Sequence, residues 1–319
     1  MGKKSYISFL FLSAIFIFTA YSIGVNQSAL QLKQANERLA SLEEQLKIQS
    51  MNEVENVEQL TPELTEDNNE NQEIKQLKEK IRKLKAELSK SSSNKEPEKK
   101  VFLTFDDGPS PLTNEILDIL KKKEVPATFF TIGNMMEQYP DIVKRTYDSG
   151  HMILPHSYSH KYSIYSTFDS FYEDLNKVEE VYKSILGFQA PSIVRFPGGS
   201  SNQTSIKYGG KDYMPNISAD LRGRGYSYVD WNVISGDASP ISKSPDQMLK
   251  QVISGSENNK FVVALFHDIA QNKATVKILP DVIDYYKKNG YTFRSFKDVT
   301  EIEMKELEKR GIVNKPVVR

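Results

Sequence analysis

Two adjacent carboxylates stand at the end of an apolar run, where Val101-Phe102-Leu103-Thr104-Phe105 leads into Asp106-Asp107-Gly108-Pro109. An ionised carboxylate buried bare carries a heavy desolvation cost, so each needs a cation, a donor or water. Successive side chains of a strand point to opposite sides, so Asp106 and Asp107 can reach different partners if the strand ends there. Gly108 and Pro109 end it, the first by freeing the backbone and the second by removing a donor. The chain has four histidines, His151, His156, His160 and His267. Two of them, in His156-Ser157-Tyr158-Ser159-His160, are spaced to face one ion from a turn of helix or a tight loop. A carboxylate would complete a two-histidine, one-carboxylate site with open positions for water and substrate, and Asp107 or Asp106 is the natural third ligand. The plainer alternative is a pair of solvated loop histidines beside a solvated turn.

Other apolar runs end on residues of the same kind. Arg195-Phe196-Pro197-Gly198-Gly199 offers a permanent cation for a carboxylate or an anionic ligand, and glycines that leave backbone N–H groups uncovered for an oxyanion. Farther on come Asp230-Trp231, Ser235-Gly236-Asp237 and Leu265-Phe266-His267-Asp268. A histidine at the end of an apolar strand, with an aspartate to hold it protonated, suits a general acid. Absence of Cys removes disulfide frameworks, thiolate metal sites and a Cys nucleophile.

The elements that position these residues begin at Lys100. Strands are expected over Val101–Phe105, Ala127–Ile132, His151–Leu154, Ile193–Phe196, Tyr226–Val233, Phe261–Phe266 and Tyr291–Phe296. Helical patterns alternate with them: Asn114–Lys123, Met135–Ser149, Phe168–Leu186, Met214–Gly223, Pro245–Ser254 and Thr275–Lys288. Uninterrupted alternation of strand and helix predicts an α/β fold with a parallel sheet closed or nearly closed into a barrel. Chemistry in such barrels sits at the carboxyl ends of the strands, where the residues above fall. Thr300 and Glu303 form a capping box for a short helix ending at Gly311, followed by a tail.

Upstream, Lys3 and Lys4 precede an uncharged run from Tyr6 to Val25, and about 20 such residues suffice to cross a bilayer as a helix. No clear small-residue cleavage site follows, which favours an uncleaved anchor over a signal peptide. Leu32, Ala35, Leu39, Leu42 and Leu46 keep the spacing of a heptad seam, as do Ile74, Leu77, Ile81, Leu84 and Leu88. The acidic, Asn-rich stretch from Asn52 to Glu73 separates them as a solvated linker. The expected organisation is a membrane anchor over 1–28, a helical stalk and linker over 29–98, a catalytic domain over 99–297, and a C-terminal helix and tail over 298–319. Such a chain is expected to be single-pass with everything after Val25 outside the membrane, secreted if the anchor is cut, and able to pair through its stalk into a homodimer. Mean hydropathy of −0.50 is low for a wholly packed chain. Lys+Arg and Asp+Glu both total 42, so net charge recommends no nucleic-acid partner.

From about residue 100 to 296 the chain resembles the polysaccharide deacetylases, the carbohydrate esterases with NodB homology, and among them the anchored peptidoglycan N-acetylglucosamine deacetylases of Gram-positive bacteria. Five motifs appear in the family's order: Thr104-Phe105-Asp106-Asp107-Gly108-Pro109, His156-Ser157-Tyr158-Ser159-His160, Arg195-Phe196-Pro197-Gly198, the stretch Trp231 to Asp237, and Leu265-Phe266-His267. The resemblance implies a distorted (β/α) barrel and a divalent metal, zinc foremost with cobalt, manganese or nickel as alternatives, held by Asp107, His156 and His160. It implies that Asp106 takes a proton from the attacking water, that His267 protonates the leaving amine, and that a backbone N–H at Gly198 serves the oxyanion. It further implies that Arg195 orients Asp106, that Asp237 tunes His267 with Asp230 as a rival, and that Leu265 lines the acetyl pocket. Pro197, Trp231 and Tyr158 join Gly198 and Leu265 as candidate substrate contacts.

This chain also departs from the family pattern. Gly198 stands where many members have Tyr, which leaves the backbone donor but removes a side wall from the groove. Ala238 follows Asp237 where a Trp is common, and Leu154-Pro155 precedes His156 where a small or amide residue is usual. Competing readings are a deacetylase or esterase of another glycan, and a catalytically silent glycan-binding module. A non-haem iron oxygenase shares the ligand set but has no use for the second aspartate or the distant histidine.

Overall fold

The structure, a computed structural model, describes residues 98–238 and 243–318 together with Glu79 and Lys83. The anchor and the heptad seams expected upstream lie outside the described residues. No helix among the described residues is long and apolar enough to cross a membrane.

Eight strands are found among the described residues: β1 (Lys99–Asp106), β2 (Thr128–Ile132), β3 (Met152–Ser157), β4 (Ile193–Val194), β5 (Ser227–Tyr228), β6 (Val233–Ile234), β7 (Phe261–His267) and β8 (Tyr291–Arg294). They form a larger sheet in the order β3-β2-β1-β7-β6, with β8 beside β1, and a smaller sheet of β4 and β5. Every pairing between these strands is parallel. A hydrogen bond of 3.2 Å from Arg195 N to the Pro155 carbonyl links β3, at the edge of the larger sheet, to the residue after β4 of the smaller one.

β1 is the central strand. Its first half, Lys99 to Phe102, pairs with β8; Thr104 to Asp106 pairs with β2; and the opposite edge runs the length of β7. Val101, Phe102, Leu103 and Phe105 are wholly shielded from solvent, as expected of a parallel strand covered on both faces. In this register Asp106 lies opposite His267. Two residue types that sequence separates by well over a hundred positions therefore emerge side by side at one end of the sheet.

Most of the helices cover one face, that of Leu103, Phe105, Phe129 and Ile153; the other, with Phe102, Phe130, Leu154 and Val263, encloses a core that Phe296, Leu307, Ile312 and Val313 complete. Helix α1 (Pro111–Lys123) starts at Ser110, whose hydroxyl accepts from Leu112 N, and buries Leu112, Ile116, Leu117 and Leu120 against the sheet. Apolar residues at this three-and-four spacing make one stripe of a helix. Phe168–Leu186 starts at the Thr167 capping box and buries Phe171, Leu175, Val178 and Tyr182 in a second cluster with Val194 and Phe196. Ion pairs at the strands' amino end are structural: buried Glu303 accepts from Lys100 Nζ at 2.7 Å and from Arg294 Nε at 2.9 Å, which fastens the C-terminal helix to β1 and β8.

Three sequence expectations change. Met135–Ser149 is two helices, Gly133–Gln138 and Pro140–Asp148, because Pro140 cannot donate to the preceding turn. Tyr226–Val233 is two short strands on different sheets. Between them the Asn232 side chain donates to the Phe261 carbonyl at 2.8 Å and accepts from Val263 N at 2.8 Å, replacing the ladder that a continuous strand would make. The residues after the C-terminal helix Glu301–Lys309 are part of the domain: Ile312 and Val313 are buried, Val313 bridges antiparallel to Val229, and Asp230 N donates to the Ile312 carbonyl at 2.8 Å.

Candidate active site

Asp107 leaves β1 with φ of 72°, a left-handed conformation that aspartate tolerates better than most residues. The reversal breaks the alternation of the strand, so both Asp106 and Asp107 border one cavity of about 460 Å³. His156 occupies the end of β3 rather than a helix, and His160 follows in the loop with φ of 54°. The two rings lie 5.1 Å apart between centroids. His156 Nε2 and His160 Nε2 lie 3.3 and 3.2 Å from Asp107 Oδ1, and one ligand atom from each of the three residues falls within 4.8 Å of the others.

This donor set fits a divalent cation. Asp107 Oδ1 is buried and has no hydrogen-bond partner, an arrangement that costs energy unless something else meets it. His156 Nδ1 is 2.7 Å from the Arg195 carbonyl, which only accepts; Nδ1 therefore carries a proton, and Nε2 is the nitrogen left to serve as a metal ligand. Burial opposes charge on His156, yet Asp106 and Asp107 raise its pKa, so the cluster calls for positive charge. Burial and the neighbouring His156 lower the pKa of His160, which keeps a second lone pair available. Burial also opposes ionisation of Asp107, but the facing histidines hold its carboxyl well below the usual range.

The loop between the two histidines is held from outside. Asp174 accepts from Tyr158 N at 2.7 Å, Ser159 N at 3.1 Å and Ser159 Oγ at 2.6 Å, and Ser157 Oγ accepts from His160 N at 2.7 Å. Asp174 was not legible as a site residue in the sequence, since nothing in a helical stretch marks which carboxylate turns inward.

Arg195 is completely buried beneath Asp106. Its Nη1 donates to Asp106 Oδ1 at 2.7 Å and to Thr104 Oγ1 at 2.9 Å, while Nε and Nη2 donate to the Val229 and Asp230 carbonyls at 2.9 and 3.1 Å. The guanidinium also lies 4.0 Å from the centroid of the Phe130 ring. A planar donor fixed on four acceptors and an aromatic face holds one carboxylate oxygen in place. Oδ2 of Asp106 is not engaged by the guanidinium.

Across the cavity His267 Nδ1 is 2.8 Å from Asp237 Oδ1, and Asp237 Oδ2 accepts from His267 N at 2.7 Å and from Thr275 Oγ1 at 2.8 Å. Burial disfavours the charged ring, but the hydrogen bond and charge of Asp237 outweigh it and push the His267 pKa up to about 9. Asp230 takes no part in this pair: its carboxylate accepts from Ser200 N at 2.9 Å and from Ser200 Oγ. The fourth histidine, His151, is buried and its Nδ1 accepts from Ala127 N at 3.2 Å.

Gly198, Trp231 and Leu265 line the cavity. Pro197 and Tyr158 do not. Phe196 to Gly199 is a tight turn closed by Gly199 N donating to the Phe196 carbonyl at 2.7 Å, with φ of 76° at Gly198. Pro197 is buried in this turn, and its carbonyl accepts from Tyr165 Oη at 2.9 Å. A trans peptide points N–H and C=O in opposite directions, so this bond turns the Gly198 N–H away from Tyr165. Tyr158 packs outward: its ring covers Gly133, Lys177 Nζ stands 3.7 Å from the ring centroid, and its hydroxyl donates to Glu137 Oε2 at 2.9 Å.

The chain is similar to known polysaccharide deacetylases. The polysaccharide deacetylase family model matches residues 93–214. A peptidoglycan-N-acetylmuramic acid deacetylase from Bacillus subtilis is 33% identical over 63% of this chain and 72% of its own length. A peptidoglycan-N-acetylglucosamine deacetylase from Bacillus cereus is 28% identical over 66% of this chain and 76% of its own. Among solved structures, the catalytic domain of a peptidoglycan N-acetylglucosamine deacetylase from Eubacterium rectale superposes with a TM-score of 0.59 at 37% identity, covering 66% of this chain and 94% of that one.

Proposed function

Since this chain belongs to the polysaccharide deacetylase family, we propose that it removes the acetyl group from N-acetylglucosamine residues of cell-wall peptidoglycan by metal-dependent hydrolysis, releasing acetate. The observation that carries this reading is the placement of Asp107, His156 and His160 around one point, with Asp106 and His267 on the same cavity. Those three residues would hold the metal, and their nitrogen and oxygen donors suit zinc. When bound, it supplies Lewis acidity and lowers the pKa of a coordinated water.

The remaining duties fall to the chain. Asp106 accepts a proton from the attacking water through the oxygen that Arg195 leaves unengaged. The Gly198 N–H donates to the acyl oxygen as negative charge develops there. His267, charged at neutral pH, gives its proton to the amide nitrogen as the C–N bond breaks, and Asp237 stabilises the ring in both states. A new C–O bond forms, and acetate and a free amine leave.

The uncharged run behind Lys3 and Lys4 supports a membrane-anchored enzyme whose catalytic domain faces the wall, and the heptad seams support pairing of two chains. The test is acetate released by the full-length protein from purified peptidoglycan and from N-acetylglucosamine oligomers. Acetate from peptidoglycan, with glucosamine recovered after acid hydrolysis, is expected. Muramic acid freed of its acetyl group would move the assignment to the other wall sugar, and acetate from the oligomers alone would move it to a chitin-like glycan.

A further inference from the structure

The groove wall that Gly198 cannot supply is present, and it comes from elsewhere in the chain. Tyr162, at the start of a 3-10 turn running to Ser166, lines the cavity beside the two histidines. A Cβ added to Gly198 would lie 2.6 Å from Tyr162 Oη and 3.3 Å from its Cε1, so the phenol occupies the space that a side chain at 198 would need. The ring is fixed by its neighbours, edge-on to His160 at 6.2 Å and inclined to Tyr165 at 6.1 Å between centroids.

The hydroxyls nearby are engaged: Tyr165 Oη donates to the Pro197 carbonyl at 2.9 Å, and Tyr213 Oη to the Thr167 carbonyl at 2.9 Å. The Tyr162 hydroxyl has no hydrogen-bond partner among the described residues. A half-buried phenol on a cavity wall with a free O–H is suited to donate to whatever enters. The free hydroxyl lies against Gly198, the residue whose N–H is assigned to the acyl oxygen.

We propose that Tyr162 is a catalytic residue of this chain: its phenol O–H donates to the acyl oxygen alongside the Gly198 N–H, and its ring forms the adjoining wall of the groove. This rests on the deacetylase reading given above. Tyr162→Phe removes one oxygen atom and keeps the ring, so packing against His160 and Tyr165 is preserved. Loss of one oxyanion donor is expected to lower kcat for acetate release by about 100-fold with KM changed less than about twofold. Tyr162→Ala also loses the wall and should raise KM.

A second measurement does not depend on turnover. Acetate presents the same kind of oxygen, so its Kd for the zinc-loaded protein, followed by NMR, should rise several-fold in Tyr162→Phe. Wild-type kcat in Tyr162→Phe, or a raised KM with kcat unchanged, would overturn the proposal. If the unmodified protein releases acetate from no glycan, the proposed reaction fails, and an acetate Kd equal in wild type and Tyr162→Phe would then dismiss the phenol as a donor as well.

Discussion

Replacing Asp106 by asparagine is expected to lower kcat for acetate release by about a thousandfold while zinc affinity stays within a few-fold of the unmodified protein. Asparagine keeps the shape of the side chain and an oxygen for Arg195 Nη1, which donates to Asp106 Oδ1 at 2.7 Å. It cannot take up a proton at the other position. The three residues clustered around one point do not include Asp106, so metal binding should survive the change. Steady-state kinetics and a competition measurement of the zinc Kd on the same preparation separate the two effects. Turnover near that of the unmodified protein would remove Asp106 from the role of base, and loss of zinc with loss of rate would make it a ligand.

The pH dependence tests the acid in the same way. With the His267 pKa pushed up to about 9, the protonated ring predominates at neutral pH, and kcat/KM should fall as pH rises through about 9. The sign follows from the role: an acid that has lost its proton cannot give it to the leaving amine. Asp237 is the main source of the increase, through the 2.8 Å bond to Nδ1, so Asp237→Asn should move this alkaline limb down toward the ordinary value of 6.5. His267→Ala should abolish the limb and lower kcat by about two to three orders of magnitude. An alkaline limb that stays near pH 9 in Asp237→Asn would show that another group produces it.

Much of this site is legible in the sequence because its parts sit at the ends of apolar runs. Asp106-Asp107, His156, Arg195 and His267 can each be found there, and the alternation of strand and helix implies that those ends converge. Which aspartate does what is not legible. The left-handed backbone at Asp107 brings both carboxylates to one cavity, and only complete burial distinguishes Arg195 beneath Asp106 from an arginine paired on the surface. The choice between Asp230 and Asp237 likewise turns on the kink around Asn232, whose side chain takes over the hydrogen bonds of an interrupted strand.

Tyr158 and Pro197 show the opposite failure. Both lie inside recognisable motifs, yet one is turned outward over Gly133 and the other is buried, with its carbonyl tied to Tyr165. Motif membership fixes proximity along the chain and leaves direction open. Tyr162 lies just past the second histidine and carries no signal of its own. Its significance appears only beside Gly198, thirty-six positions away, where absence of a side chain leaves the room that the phenol fills.

The central claim is that Asp107, His156 and His160 hold one divalent cation on which hydrolysis depends. The most direct measurement is acetate released from peptidoglycan by full-length protein stripped of metal with a chelator, then titrated with zinc. No acetate is expected before zinc is added, activity should saturate at one equivalent per chain, and His160→Ala should require far more zinc to reach its own plateau. Undiminished acetate release from protein shown to be free of metal would contradict the claim.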